Sequence, residues 1–288
     1  MYEAIEYLRK DYIVERLCAV LGVSKSGYYA YRNRPKSPPS KEEIEKVEKV
    51  RKEFFKQKGT FGSKRIAKEL KANGTIINHK KVAKIMAESN LRAVVRRKKS
   101  TKVTKEQSAG YVYENGLNRQ FDALLPNQKW VTDKTEISID NQKFYISSLM
   151  DLYNREVIGF EVSTSPNTDL IRETIQNARK KRKLKSLENV LIHSDQGSVY
   201  RSFEYHKLMK QLKFTPSMSR KANCWDNAVI ESFFSQLKTE FPHFYPNTTA
   251  GTIERNLRKY IRYNKKRIQK KLGYVSPSKF YSQFKKAV

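Results

Sequence analysis

The spacing of apolar residues changes along the chain. Up to about residue 94 they recur every three or four positions, as in Ile13, Leu17, Val20 and Leu21, which is the period of an amphipathic helix. From Trp130 onward, segments that alternate apolar and polar residues, as strands do, are separated by helical ones. The pattern predicts an all-helical first part, followed by a part that mixes strands and helices.

Two helix-turn-helix outlines follow one another in the first part. In the first, Gly22 can end one helix and Ser24 can cap the next; in the second, Asn73-Gly74 separates two helical segments within residues 62–93. Each outline alone is equally well explained as a plain helical hairpin. Two in succession favour a DNA-binding arm, because they are followed by a basic run that could contact phosphates, formed by Arg96, Arg97, Lys98 and Lys99.

The second part predicts an α/β fold. Three strands, within residues 129–163, read as an antiparallel meander, and a helix, a strand, a helix, a short strand and a final helix beginning near Asp226 follow. This alternation indicates a mixed sheet with helices packed against it. We therefore expect five regions: an N-terminal helix-turn-helix (1–36), a second helical DNA-binding region (37–100), a linker (101–122), a catalytic core (123–245) and a basic helical tail that completes it (246–288).

The charge of the chain points to a polyanionic partner. The 288 residues include 59 Lys plus Arg and 29 Asp plus Glu, a net charge of +30. Such an excess favours nucleic acid first and an anionic membrane surface second. The membrane alternative is weakened because no apolar stretch approaches the roughly 20 residues that span a bilayer, and we expect no signal peptide. Two distant cysteines, Cys18 and Cys224, suit a reducing cytoplasm.

Three acidic residues stand out against this basic background. Asp133 lies inside the first strand, Asp195 ends the fourth, and Glu231 follows one turn into the late helix, with 35 residues between the last two. An aspartate after a strand is usually a turn former or a cap, so Asp195 alone indicates little. If the first and fourth strands are neighbours, however, the three carboxylates meet and repel one another, and divalent cations with oxygen ligands would neutralise them. Lys238 projects from the same helical face as Glu231.

Four nearby residues have simpler explanations. Asp151 is explained by a turn, and His193 by a hydrogen-bonded structural role at a strand end. Trp225 is expected to pack the start of the late helix rather than to stack on a base. Lys134, next to Asp133, is expected to point to the opposite face of the strand.

The chain resembles bacterial insertion-sequence transposases encoded by the second reading frame, the OrfB type, which have a retroviral-integrase-like DDE catalytic domain. The matching segments are LGVSKSGYY, FGSKRIAKEL, WVTD, HSDQGSVY, WDNAVIESFFSQLKTE and YNKKRIQKKLGYVSP, which together run through nearly the whole sequence. The resemblance implies a ribonuclease H-like core with a mixed five-stranded sheet. It also implies that Asp133, Asp195 and Glu231 are the catalytic residues and bind magnesium or manganese, as two ions, and that Lys238 contacts DNA.

The same resemblance implies the reaction and the partners. It implies cleavage of a DNA strand at an element end, followed by attack of the new 3′ hydroxyl on another phosphodiester. The partners would be double-stranded DNA of the element ends and target, further copies of the chain on that DNA, and the product of the upstream reading frame, in a bacterial cytoplasm at the nucleoid. The alternative is a non-catalytic DNA-binding regulator of the element, in which the three acids are a relic.

Overall fold

The computed structural model describes residues 1–33, 40–94, 110–221 and 223–287. The chain forms two compact units, Met1–Lys49 and Val50–Val288. None of the helices in the described ranges is long and apolar enough to cross a bilayer.

The first unit contains three short helices, α1 (Tyr2–Leu8), α2 (Val14–Val20) and α3 (Lys25–Asn33). Gly22 has a positive φ of 63° after α2, and the Ser24 hydroxyl accepts the Gly27 N–H at 3.0 Å, as the turn between two helices requires. The predicted apolar stripe is wrong at two positions, because Ile13 and Val20 are 76% and 78% exposed. The buried core consists instead of Ile5, Cys18 and Tyr28, with Leu17 and Leu21 packed around it.

Helix α4 (Lys41–Lys56) begins where the Ser40 hydroxyl accepts the Glu43 N–H at 3.2 Å. The second helical pair follows as α5 (Ser63–Ala72) and α6 (His79–Glu88). Asn78 caps α6 through the Lys80 N–H at 2.9 Å. The apolar residues of these two helices are buried, namely Ile66, Leu70, Val82, Ile85 and Met86.

A five-stranded mixed sheet forms the centre of the second unit. Its strands are β1 (Lys129–Ile139), β2 (Gln142–Asp151), β3 (Glu156–Ser163), β4 (Leu191–Ser194) and β5 (Thr215–Met218), in the order β3-β2-β1-β4-β5. The first three form the predicted antiparallel meander, whereas β4 is parallel to both β1 and β5. The condition that β1 and β4 be neighbours is therefore met, and it determines where the functional residues meet.

Helices cover both faces of the sheet. They are α7 (Thr168–Arg182), α8 (Phe203–Leu212), α9 (Ala228–Phe244), α10 (Ile253–Lys266) and α11 (Pro277–Ala287). Strand alternation sends Trp130 into one core, with Ile171 and Ile175 of α7, and Val131 into the other, with Phe233 of α9. Helix α7 is capped by Asn167, whose side-chain oxygen accepts the Leu170 N–H at 3.2 Å.

The end of β2 carries a buried ion network. Asp151 is fully buried and receives Arg182 Nη2 at 3.1 Å on Oδ2, while the same guanidinium lies 3.3 Å from Glu156 Oε2. Burial raises the pKa of the Asp151 carboxyl, and the Arg182 charge opposes that rise. Asp151 also accepts the Tyr153 N–H, as the expected turn requires, but its main role is this ion pair between β2 and α7.

Candidate active site

Asp133 and Asp195 lie side by side on neighbouring parallel strands. Val131 of β1 pairs with His193 of β4, so the residues two positions further on, Asp133 and Asp195, are level with each other and share a face. Adjacent strands are about 4.8 Å apart, which brings two carboxylates close together. Asp195 lies just beyond β4, where the chain turns, and its Oδ1 accepts the Gly197 N–H at 3.0 Å.

Helix α9 brings Glu231 towards this pair because its start is fixed to β1. The buried Asn227 donates from Nδ2 to the carbonyl oxygen of Thr132, the neighbour of Asp133, at 3.2 Å. Glu231 comes four residues after Asn227, in the first turn of α9. Its charge raises the pKa of Asp133, so the helix lies close enough for the two carboxylates to interact.

A second anchor lies beside the first. The fully buried carboxylate of Asp226 accepts Arg220 Nε and Nη2 at 2.8 Å each and Arg119 Nε at 2.8 Å. The Arg220 hydrogen bonds hold the pKa of Asp226 well below its usual range. The buried Leu117 N–H donates to Ser217 of β5 at 3.1 Å, so the segment that carries Arg119 is itself part of the core.

The environment of the two aspartates disfavours their ionised forms. Burial, followed by the charges of Asp195 and Glu231, raises the pKa of Asp133 well above its usual value, although the Lys134 N–H donates to its Oδ1 at 2.7 Å. Burial also raises the pKa of Asp195. The buried Tyr200 hydroxyl lies 3.3 Å from Thr132 Oγ1. Burial chiefly, and then the charges of Asp133 and Asp195, raise its pKa well above the ordinary value. Repelling carboxylates in a partly dehydrated place are the electrostatic condition that a bound cation relieves.

The donor set fits a hard divalent cation. Asp133, Asp195 and Glu231 offer carboxylate oxygens, the ligands that Mg²⁺ and Mn²⁺ prefer. Within the described residues no group of three or more His, Cys, Asp or Glu side chains has ready-made ligating geometry. The two aspartates are half-buried and Glu231 is exposed, so Glu231 is the side chain with the most room to adjust.

Two lysines flank the acidic residues. The Lys134 charge lowers the pKa of both Asp133 and Asp195, so it acts on the site, which strand alternation alone does not predict. Lys238 is exposed two turns after Glu231 and lines a cavity of about 210 Å³ with the far half of β1, including Glu136. The predicted basic contacts Arg96, Arg97, Lys98 and Lys99 lie outside the described residues.

His193 and Trp225 have different outcomes. The buried His193 ring lies 2.8 Å from Ser217 Oγ at Nδ1 and 3.2 Å from Ser219 Oγ at Nε2, and burial lowers its pKa to about 4, so it is a neutral link between β4 and β5. Trp225 is 69% exposed, so the expectation that it packs the helix start is wrong. Sequence reasoning also missed Asp226 and Asn227 as anchors; their position just before the helix that carries Glu231 was the available signal.

Family models match most of the chain. The integrase core domain matches residues 123–224 and again, through a second model of the same description, residues 212–277. An HTH-like domain matches residues 41–99. The mixed sheet together with the integrase core matches confirms the predicted ribonuclease H-like fold.

Full-length relatives extend the match. The chain is 32% identical to InsK of insertion sequence element IS150 from Escherichia coli, over 98% of both chains. It is also 32% identical to the transposase InsF of insertion sequence IS3A from Escherichia coli, over 97% of both. A transposase-like protein of Haemophilus influenzae is 37% identical over 72% of this chain and 94% of its own length. The chain belongs to the insertion-sequence transposases with an integrase core domain.

Solved structures of viral integrases are also similar. The catalytic core of BIV integrase is 20% identical, with a TM-score of 0.44, and covers 56% of this chain and 97% of its own. The catalytic core of HTLV-2 integrase in complex with magnesium is 15% identical, with a TM-score of 0.43, and covers 55% and 97%.

Proposed function

We propose that this transposase is a polynucleotidyl transferase that cleaves DNA strands at the ends of its insertion element and joins them to target DNA. One observation carries the proposal: Asp133 on β1 and Asp195 just after the neighbouring parallel strand β4 are close enough for their charges to interact, and a helix anchored to β1 brings a third acid near them. A basic protein with one acidic centre is suited to metal-assisted chemistry on a polyanion.

Each of the three acids has a role in this proposal. Asp133 and Asp195 would hold divalent ions, Mg²⁺ or Mn²⁺, and Glu231 of α9 would be the third acidic ligand. Two such ions supply activation of the attacking oxygen and stabilisation of the leaving one. Asn227 and the Gly197 N–H fix the positions of the acids before DNA arrives, so that little reorganisation is needed.

The basic residues bind and orient the DNA. Phosphates are held by Lys238 and by the predicted contacts Arg96, Arg97, Lys98 and Lys99. The helical regions 1–36 and 37–100 bind the element ends, and the linker 101–122 connects these regions to the core. Phosphate contacts position a protein on DNA but carry no sequence information. The family relationship supports action as a homo-oligomer on paired element ends, together with the upstream reading-frame product, in the bacterial cytoplasm.

The deciding experiment measures nicking and joining of labelled linear DNA that carries the element's own ends, with and without Mg²⁺. Wild-type protein should give metal-dependent products, and Asp133→Asn, Asp195→Asn and Glu231→Gln should give none while binding DNA normally. Glu173→Gln is the matched control, because Glu173 is an exposed residue of α7 with no ion pair among the described residues. Its products should equal those of the wild type.

The alternative function gives a different result. The experiment is repeated with the upstream reading-frame product added, so that a missing partner cannot account for inactivity. DNA binding without any product under both conditions would overturn the enzyme and favour the regulator. Products from any of the three acid variants would remove that residue from the catalytic set.

A further inference from the structure

A large cationic cavity lies in the second unit, apart from the site formed by Asp133, Asp195 and Glu231. Its volume is about 740 Å³, and it is enclosed by the start of α5, the segment around Arg119, the turn between β2 and β3, helix α9 and the chain after α10. It thus joins the part matched by the HTH-like domain to the part matched by the integrase core.

The cavity uses a different side of α9 from the acidic site. Ser232, Gln236 and Thr239 line it and follow one another at helical spacing. Glu231 and Lys238 form another stripe of the same helix, turned away from these residues by the 3.6-residue period. An α-helix is about 10 Å wide, so the cavity and the acidic site are separate places on one helix.

Positive charge dominates the lining. The acidic members are Asp122 and Glu240, and the basic members are Arg65, Arg119, Arg155, Arg267, Lys270 and Lys271. Glu240 is already neutralised, because Arg267 Nη1 lies 2.7 and 2.6 Å from its two carboxylate oxygens. Arg119 is likewise occupied by Asp226.

Four cations remain without a carboxylate partner. Among the described residues, Arg65, Arg155, Lys270 and Lys271 form no ion pair, and Asp122 is the remaining acid of the lining. Arg155 and Arg65 are half-buried, and burial lowers the pKa of both guanidinium groups, for Arg65 together with the Arg267 charge. Because arginine stays protonated in proteins, both guanidinium charges remain in this half-buried place, where the Asp122 charge offsets only part of the cost of burial for Arg155 and the Glu240 charge only part of it for Arg65.

A buried donor also lacks a partner. Arg267 is 4% exposed, and its Nε–H donates to no atom of the described residues, although its Nη1 binds Glu240. Planar guanidinium groups bind phosphate through paired N–H donors, and lysines add point charges. The amides of Asn264 and Gln269 add neutral donors to the same lining, whereas the Gln236 amide already donates to Glu240 Oε1 at 3.2 Å. The combination suits phosphate oxygens better than bases.

We infer that this cavity binds the phosphate backbone of DNA at a place distinct from the acidic site. The inference rests on the proposed function in that DNA is taken as the ligand. A backbone segment held here contacts α5 and α9 together, so it couples DNA bound by the HTH-like part to the helix that presents Glu231.

The test measures DNA binding over a salt series in the Glu231→Gln background, with EDTA, so that no cleavage is needed. The double variant Arg155→Gln/Lys270→Gln should bind about tenfold more weakly for each phosphate that it no longer neutralises, and the slope of log affinity against log salt should fall by about 0.9 per phosphate. The charge-preserving pair Arg155→Lys/Lys270→Arg should keep most of the slope. The control, Arg255→Gln/Lys259→Gln, removes equal charge from exposed positions of α10 and should leave the slope unchanged.

A methylphosphonate scan separates direct binding of a phosphate from an indirect effect of the substitutions. Neutralising the phosphate that lies in the cavity should weaken binding by the parent protein but not further weaken binding by the Arg155→Gln/Lys270→Gln variant. Slopes equal to those of the α10 control, or losses of affinity that add at every phosphate, would overturn the inference. If the protein did not cleave DNA but gave the expected binding results, only the proposed function would be refuted, and the inference about the cavity would stand.

Discussion

Replacing Asp133 with asparagine should stabilise the metal-free protein while it abolishes cleavage. The Asp133 and Asp195 carboxylates lie on strands about 4.8 Å apart, and each is half-buried. Two like charges about 5 Å apart repel by roughly 1 kcal/mol in water and roughly 3 kcal/mol at an effective dielectric constant of 20. The Lys134 charge offsets part of this repulsion. We therefore expect a net gain of about 1–2 kcal/mol in the free energy of unfolding.

Tryptophan fluorescence can follow this change in the right part of the molecule. Trp130 is fully buried on β1, three residues before Asp133, whereas Trp225 is already exposed, so Trp130 dominates the signal of core unfolding. For a unit of this size, the gain corresponds to an increase in Tm of about 4 °C in EDTA. Mg²⁺ should reverse the order, because an ion that binds only the folded wild type stabilises it by mass action.

Glu173→Gln serves as the control for removing one negative charge from a basic protein. Its Tm should match that of the wild type in both EDTA and Mg²⁺, since Glu173 is exposed on α7. An Asp133→Asn protein that melts below the wild type in EDTA would refute the repulsion argument. An equal gain from Mg²⁺ in wild type and variant would refute the role of Asp133 as a metal ligand.

Three further predictions concern pH, the α9 anchor and the buried ion network. The pKa of Asp133 is higher in the folded protein than in the unfolded chain, so the ionised carboxylate destabilises the fold fully above the folded pKa, and this destabilisation is lost as the pH falls towards the unfolded pKa. In urea unfolding, the gain in unfolding free energy from Asp133→Asn should therefore become smaller at acidic pH. Asn227→Ala leaves the buried Thr132 carbonyl without its donor, and should lower stability by about 1–3 kcal/mol and reduce cleavage more than DNA binding in parallel assays. Arg182→Met leaves Asp151 buried without its guanidinium, and should lower the unfolding free energy by about 3–5 kcal/mol in urea titrations.

The helices and strands were predictable because short-range patterns encode them. The alternation of β1 and β2 and the helical stripe of α9 are visible in the spacing of apolar residues, and the resemblance implied a mixed five-stranded sheet. The apolar residues Phe233, Phe234 and Leu237 of α9 are buried in the core. These predictions succeed because burial of one face is decided by residues a few positions apart.

Partners distant in sequence were not predictable in the same way. The Asp226 carboxylate meets Arg119 across 107 residues, and Asp151 meets Arg182 across 31, and no local spacing marks either pair. A local pattern can also predict burial that does not occur. Ile13 and Val20 belong to a helical stripe of apolar residues but are exposed, because the stripe is wider than the surface available to bury it. Charge alone did not indicate which basic residues would be left unpaired in the cavity beside α9, because that depends on which acids the fold has already neutralised.

The positions of the two anchors explain how a repelling acidic centre can persist in this fold. Asp133 and Asp195 are held by backbone pairing of β1 with β4, and Glu231 by hydrogen bonds of Asn227 and Asp226 that precede α9. The strand pairing and the two anchors before α9 do not depend on the three carboxylates of the acidic site themselves. The restraint is therefore supplied by the core, and because the Lys134 charge offsets only part of the repulsion, a bound cation should relieve the rest. In the cationic cavity the core likewise holds charges of one sign together, here positive ones. A bound metal ion and bound DNA should therefore each stabilise a different side of α9.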